Sequence, residues 1–370
     1  MISRLFSSVF VTVLILMVGI SNAGYAQQTK NDGIDPAGKP LIEVTPDLFH
    51  NKPEFDSGWV SINKDQEKTI PHNIGGNPDR YVVELQFKDT GPGGSGVNQE
   101  GYGGMEYLDF IGYQNPIMVQ TGAYWYGLTE KEIKVKRQYD DNTVDKVRIR
   151  IWLQTTPSFD SEWKPIAADG LLKNFDHNLG GDTDEYLVDM QFKDTDNLGV
   201  PVGVNQYGYG MIYSYIDPFD LESRGGLWRN LNGSTISVVR GSVDKTAGNF
   251  RIRIWKNKNP DYDSGWFTID NGITESKIHN LGGNSDDYVV DLQFKDEGDA
   301  GVNQQFYGNN TYTENDGLAI YRQGAYWYFL TSENISIYRE YNDSSAPKAR
   351  VRIWNSNPYD KKIYLPLVLP

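Results

Sequence analysis

One nineteen-residue text occurs three times in this chain. It reads "PHNIGGNPDRYVVELQFKD" at 71–89, "DHNLGGDTDEYLVDMQFKD" at 176–194 and "IHNLGGNSDDYVVDLQFKD" at 278–296. Its histidines, His72, His177 and His279, lie 105 and 102 residues apart. That period is far above those of solenoid repeats, so each copy is large enough to be a domain. The nine tryptophans fall into the same frame as three triplets: Trp59, Trp125, Trp152; Trp163, Trp228, Trp255; Trp266, Trp327, Trp354. Every copy opens on "FDSGW", "FDSEW" or "YDSGW", passes "GVNQ", and closes on "VRIRIW", "FRIRIW" or "RVRIW". The repeats therefore span 55–152, 159–255 and 262–354, joined by six-residue links that hold neighbours close.

Within a copy the periodicity is two. Tyr81, Val83, Leu85 and Phe87 alternate with Val82, Glu84 and Gln86, and Val147, Ile149 and Ile151 alternate with Arg148, Arg150 and Trp152. Gly, Asn and Asp clusters punctuate the runs, and no long stretch has helical periodicity. The expected fold is all-β: three tandem antiparallel β-sandwich domains, strung as beads or gathered into an intramolecular pseudo-trimer. On an exposed sheet face Arg148 and Arg150 would pair across strands with acids such as Glu84, as would their counterparts in the other copies. Trp59, Trp163 and Trp266 are expected in the core. In "GAYWY", alternation sets Trp125 against Tyr124 and Tyr126, and Trp327 against Tyr326 and Tyr328, so one set faces outward.

The ends read differently. Residues 1–26 combine Arg4, an apolar run and small-residue cleavage options after Ala23 or Ala26, the pattern of an export signal peptide. A retained N-terminal anchor is the other reading. Residues 27–54 form a polar, Pro-containing leader, and 355–370 a tail ending "YLPLVLP". The expected localisation is secreted or cell-surface, without membrane insertion after signal removal. Losing Arg4 with the signal takes the net charge from −14 to −15, which disfavours nucleic acid and anionic membranes as partners. With no cysteine, thiol catalysis, Cys-metal sites and disulfides are excluded.

The opening "DSGWVSI", the alternating central strand and the terminal hairpin "EIKVKRQYDDNTVDKVRIRIW" resemble the H-type lectin domain of snail agglutinins and the discoidin C-terminal region. That resemblance implies a non-enzymatic, carbohydrate-binding protein recognising surface glycans, of galactose or N-acetylgalactosamine type, as in the family's trimers. The alternative is a structural or adhesive surface protein whose lectin-like domains are spacers. The family's site lies in the turn before the last strand. Here that turn holds Tyr139, Asp140 and Asn142 in copy 1 and Tyr341, Asn342 and Asp343 in copy 3, preceded by Arg137 and Arg339. Tyr124, Tyr126, Tyr326 and Tyr328 complete the candidate set; copy 2, with Ser242 and Val243 in the turn, lacks the tyrosine. Tyrosine faces stack on sugar C–H faces while Asp and Asn oxygens accept from hydroxyls.

Two sharper chemistries have partial signatures in the repeats. Asp-Ser pairs (Asp56-Ser57, Asp160-Ser161, Asp263-Ser264) with one His per copy suggest a triad, but no nucleophile-elbow turn accompanies them. The acidic turns "GGDTDEY" and "KDTDN" contain only fragments of a calcium loop. No catalytic residue, metal ligand or cofactor is therefore expected, with calcium the one alternative.

Overall fold

The computed structural model describes residues 48–110, 116–153, 156–196, 200, 203–217, 220–256, 259–313 and 320–357. The signal-like segment and the C-terminal "YLPLVLP" lie outside them. The described residues, from 48 to 357, belong to one compact unit. Each copy contributes the same ten strands, in copy 1 β1 (Phe55–Asp56), β2 (Val60–Ser61), β3 (Glu67–Pro71), β4 (Tyr81–Asp89), β5 (Gly96–Asn98), β6 (Met105–Phe110), β7 (Pro116–Thr121), β8 (Ala123–Tyr126), β9 (Glu132–Arg137) and β10 (Lys146–Leu153). They assemble into a five-stranded sheet (β1 and β2 on β10, then β4, β5), a three-stranded sheet (β3-β9-β8) and a hairpin (β6-β7).

The six larger sheets are the blades of a six-bladed β-propeller, which overturns the expectation of three tandem β-sandwich domains. Neighbouring copies are stitched edge to edge. Leu128 of copy 1 bridges Val204 of copy 2, Leu231 bridges Val302 of copy 3, and Leu330 N–H closes the ring on Val97 O at 3.3 Å. A single apolar core runs through all three copies.

The physical reason lies in the polar face of the five-stranded sheets. Tyr81, Leu85 and Phe87 are fully buried in the core, as alternation requires. The opposite face is buried too: Gln86 is 1% exposed, Arg150 1%, Arg253 0% and Arg352 1%. The predicted cross-strand pairs form (Arg150–Glu84 2.5 Å, Arg253–Asp189 2.6 Å, Arg352–Asp291 2.7 Å), but inside the molecule rather than on a solvated face. Each guanidinium then reaches into another copy. Arg150 donates to Tyr288 O, Arg253 to Tyr81 O (2.7 Å) and Arg352 to Tyr186 O (2.6 Å). Buried charges persist only when paired and fully hydrogen-bonded, and these carbonyls complete the set.

Those acceptors belong to the triplicated text. Its Asn73 (φ +51°), Gly75 (φ +76°) and Gly76 (φ +82°) turn the chain through left-handed conformations, which Asn and Gly adopt most readily. Asn77 then caps a short 3₁₀ turn, Pro78–Arg80, by accepting the Asp79 N–H at 3.0 Å. The turn presents Asp79 O to Arg251 and Arg253, and its carboxylate to Trp163 Nε1 at 3.0 Å. Asp184 receives Trp266, Arg350 and Arg352 in the same way, and Asp286 receives Trp59, Arg148 and Arg150. Trp59, Trp163 and Trp266 are thus half-buried seam residues at the core's margin rather than core residues, because their indole N–H groups serve the neighbouring copy.

A pseudo-threefold axis follows from the ring contacts of Tyr102, Tyr209 and Tyr307, whose centroids lie 5.7, 5.8 and 6.0 Å apart. Each hydroxyl bonds a glutamine of the next copy, Gln206, Gln304 or Gln99, and Trp125, Trp228 and Trp327 donate Nε1–H to the same three oxygens. Such approach demands glycine: a Cβ on Gly103 would lie 2.7 Å from Tyr209 N, and on Gly308 2.6 Å from Tyr102 N. Beyond a ≈100 Å³ axial cavity flanked by Glu84, Asp189 and Asp291, Trp152, Trp255 and Trp354 join Val82, Leu187 and Val289 in a second apolar cluster. Leu48 and Phe49, from the stretch read as a polar leader, plug it, with Phe49 5.1 Å from Trp152 and 5.6 Å from Trp354.

Candidate functional site: an aromatic sheet face

The outer face of the three-stranded sheets is where the copies diverge. In copy 3 the register aligns Tyr326, Tyr338 and Thr274 in one row and Tyr328, Ser336 and Ser276 in the next. Trp327, between the two tyrosines, points inward and is fully buried, which settles the side its neighbours face. Ring contacts run continuously from Phe329 to Tyr328 (4.8 Å), Tyr326 (5.8 Å), Tyr338 (5.6 Å) and Tyr341 (6.4 Å). Phe329 is 43% exposed and Tyr341 65%. Thr274 and Ser276 add exposed hydroxyls, and Thr274 Oγ1 meets Tyr328 Oη at 2.9 Å. Burial raises Tyr326 and Tyr338 above the usual phenol range, so both hydroxyls stay protonated donors.

Copy 1 carries a charged version. Tyr126 donates to Glu67, and Lys134 lies 3.3 Å from Glu67 and over the Tyr126 ring. The phenol hydrogen bond is the main reason the Glu67 carboxyl sits below its usual range. Tyr124 packs on Tyr207 of copy 2 at 4.5 Å, at the mouth of a ≈670 Å³ groove between copies 1 and 2. That groove holds Glu106, whose oxygens receive Gln120, Tyr207 and Arg224. In copy 2, Leu227 and Val239 replace the aromatic pair and pack with Met211.

The turn residues named from sequence divide into two groups. Tyr139, 63% exposed, and Tyr341 stand free of the fold on one side. Arg137 and Arg339 lie beneath the turn, where each grips the aspartate four residues on: Asp141 at 2.8 Å and Asp343 at 2.7 Å. Those carboxylates also accept N–H groups, from Gly122 and Val144 in copy 1 and from Gly324 and Ala346 in copy 3. Asp343 is 3% exposed, so the Arg–Asp pair holds the turn's shape. Asp140 accepts the Gln120 N–H, Asn142 the Lys64 ammonium and Asn342 the Arg322 N–H. Tyr338, Thr274 and Ser276 join the site because cross-strand register brings them beside Tyr326 and Tyr328, while Phe329, the chain neighbour of Tyr328, extends the row past the strand end. A tyrosine on the polar phase of Asn334–Arg339, sharing the face of Asn334 and Ser336 opposite Ile335 and Ile337, is the available signal.

The histidines form no relay. His72 Nδ1 accepts the Ile74 N–H of its own turn at 3.3 Å, and its ring packs on Phe55 and Tyr81. Burial holds all three imidazoles below the usual range. Ser57 Oγ bonds Gly58 O and the Ile149 N–H, and Asp56 pairs with Arg148. Among the described residues no group of three or more His, Asp or Glu is placed to hold a metal ion, and no helix is long and apolar enough to cross a membrane.

No protein-family model matches the chain, and no curated protein matches it significantly in sequence. The site must therefore be read from its own chemistry.

Proposed function

We propose that this chain is an exported, non-enzymatic carbohydrate-binding protein that engages surface glycans through the copy 3 sheet face. The observation that carries the reading is the row of five aromatic rings from Phe329 to Tyr341 beside exposed Thr and Ser hydroxyls. Aromatic faces cover the C–H faces of successive sugar rings, and hydroxyls and phenols bond the equatorial groups. Copy 1, with Lys134 and Glu67 paired across its face, is a weaker second site; copy 2 is silent. Motif order is the whole of the likeness to H-type lectins, whose β-sandwich this propeller does not share, and the galactose-type preference rests on that likeness alone. Export is inferred from residues 1–26.

A glycan array on residues 27–370, followed by calorimetry on the best ligand, tests it. Tyr341→Ala with Tyr328→Ala should weaken binding about 10- to 100-fold, at about 1–3 kcal/mol lost across the two rings. The same pair of changes should leave the melting temperature within a few degrees. Absence of any sugar-dependent signal would leave the alternative, a structural or adhesive surface protein, in its place.

A further inference from the structure

Each copy of the repeated text uses its histidine as a hydrogen-bond acceptor. His72 Nδ1 takes the Ile74 N–H at 3.3 Å, His177 Nδ1 the Leu179 N–H at 3.2 Å and His279 Nδ1 the Leu281 N–H at 3.2 Å. A side chain that accepts the N–H two residues on is the geometry of an Asx turn, here closed by an imidazole. It sets Ile74, Leu179 and Leu281 against the core. An Nδ1 that accepts leaves the ring's proton on Nε2. All three Nε2 atoms are buried, without a hydrogen-bond partner among the described residues, on histidines 7–8% exposed. The same unmet donor in three copies is a property of the turn.

Each ring also stands at a seam. It packs edge-on with the tyrosine that opens the following strand, Tyr81, Tyr186 or Tyr288, at 5.6, 5.7 and 5.5 Å between centroids. The carbonyls of those tyrosines are the acceptors for another copy. Tyr81 O receives Arg253 and Gln191, Tyr186 O receives Arg352 and Gln293, and Tyr288 O receives Arg150 and Gln86. The tyrosine hydroxyls turn back onto the carbonyls of Gly75, Gly180 and Gly282 in the histidine turns. Imidazole, turn and inter-copy acceptor thus form one packed unit, present once per seam. Phe55, Phe159 or Tyr262 of the copy's first strand also packs on the ring.

The surroundings give a second proton little support. His72 is faced by the carbonyls of Thr129 and Glu132 and by the charges of Glu130 and Glu132, all of which favour its cation. His177 is faced by the carbonyls of Asn232 and Thr235 and by Asp176, with Lys256 opposing. His279 is faced by the carbonyls of Thr331 and Asn334. Burial outweighs these groups in every copy and holds the imidazoles below the usual range.

We propose that the three histidine turns are proton-sensitive latches: a neutral imidazole closes each turn against its seam, and protonation opens the three seams together. A protonated Nδ1 points a hydrogen at the N–H it accepts when neutral, so the turn cannot keep both the proton and the bond. The charge also enters a site walled by aromatic rings. Because the folded chain binds fewer protons than the unfolded one, the latches contribute fully above the unfolded value of about 6.5. Their contribution is lost as pH falls through the folded value. Glu100 and Glu340, pushed by burial up to about 7, take up protons on folding and work in the opposite sense, so the test compares chains that share them.

The test sets the chain lacking residues 1–26 beside its His72→Asn, His177→Asn, His279→Asn triple variant. Asparagine Oδ1 closes the same bond to the N–H two residues on and does not titrate. Chemical denaturation at pH 8 and pH 5.5 should show the parent losing up to about tenfold per histidine in folding equilibrium constant relative to the variant, the factor for one pH unit below the unfolded value. Hydrogen exchange at pH 5.5 should open the amides of 77–81, 182–186 and 284–288 in the parent before those of β9, and in the variant only together with them. An NMR titration of the parent covers a variant that does not fold. The three buried rings should stay neutral and Nε2-protonated to a lower pH than half-buried His50, which bonds Asp261 at 3.1 Å. Equal pH dependence in parent and variant, rings that titrate while the turn amides stay protected, or exchange that starts in β9 would each overturn the latch.

Discussion

At the scale of single residues, the same chemistry does different work according to burial. Asp56 shows the ordinary case. Burial works to raise its carboxyl, yet the Arg148 guanidinium and the Gly58 N–H prevail and hold it below the usual range. Its contribution to stability is thus present above the unfolded pKa and lost as pH falls through the folded one; Asp160 and Asp263 behave alike. Glu100 and Glu340 run the other way. Raised to about 7, they favour the fold below the unfolded value of 4.5, and that support is lost as pH rises through about 7. Glu340→Gln should consequently raise the melting temperature relative to the parent at pH 8, by roughly 1–3 kcal/mol of stability, and make little difference at pH 5. Parallel thermal scans at the two pH values check this, and an equal effect at both would contradict it.

At the scale of elements, the strands were legible and their partners were not. Tyr81–Asp89 and Lys146–Leu153 form where alternation places them, and Arg150 pairs with Glu84 as cross-strand logic requires. Alternation reports which residues share a face; it does not report what lies against that face. A polar row reads as solvated unless something outside the strand supplies its hydrogen bonds, and here the supplier is a turn more than a hundred residues away. Arg253→Met tests the dock. It leaves Asp189 buried and unpaired, so a loss of about 3–5 kcal/mol is expected by chemical denaturation. A matched Arg253→Met, Asp189→Leu double variant should recover part of it. The candidate site was legible to a similar degree. Tyr326, Tyr328 and Tyr341 were visible as aromatics near a turn, whereas Tyr338, Thr274 and Ser276 needed register, and Arg339 and Asp343 needed depth.

For the whole molecule, the closed ring predicts one cooperative unit. The copies share a core, and the copy 3 to copy 1 seam is non-covalent, so no copy has all its polar groups satisfied alone. Calorimetric unfolding should show a single transition, and a fragment of residues 55–153 should not persist as a folded monomer, because Arg150 and Gln86 would lose their acceptors in copy 3. Phe49→Ala should cost about 3–5 kcal/mol, as expected for removing a buried phenyl from the tryptophan cluster.

The triplicated text "HN-x-GG" followed by its strand determined by itself that there are three equivalent copies and that each is built of strands. Turn chemistry and period-two alternation are local properties, written in adjacent residues. The sequence did not determine that the copies are one molecule, because closure depends on Asp79, Asp184 and Asp286 meeting arginines and tryptophans from other copies. Nor did it determine which copy-specific residues converge, since the tyrosines of copy 3 join Thr274 and Ser276 only through the register of three strands. The repeated text is repeated because every copy must dock on the next, and the chemistry that distinguishes this protein sits where the copies differ.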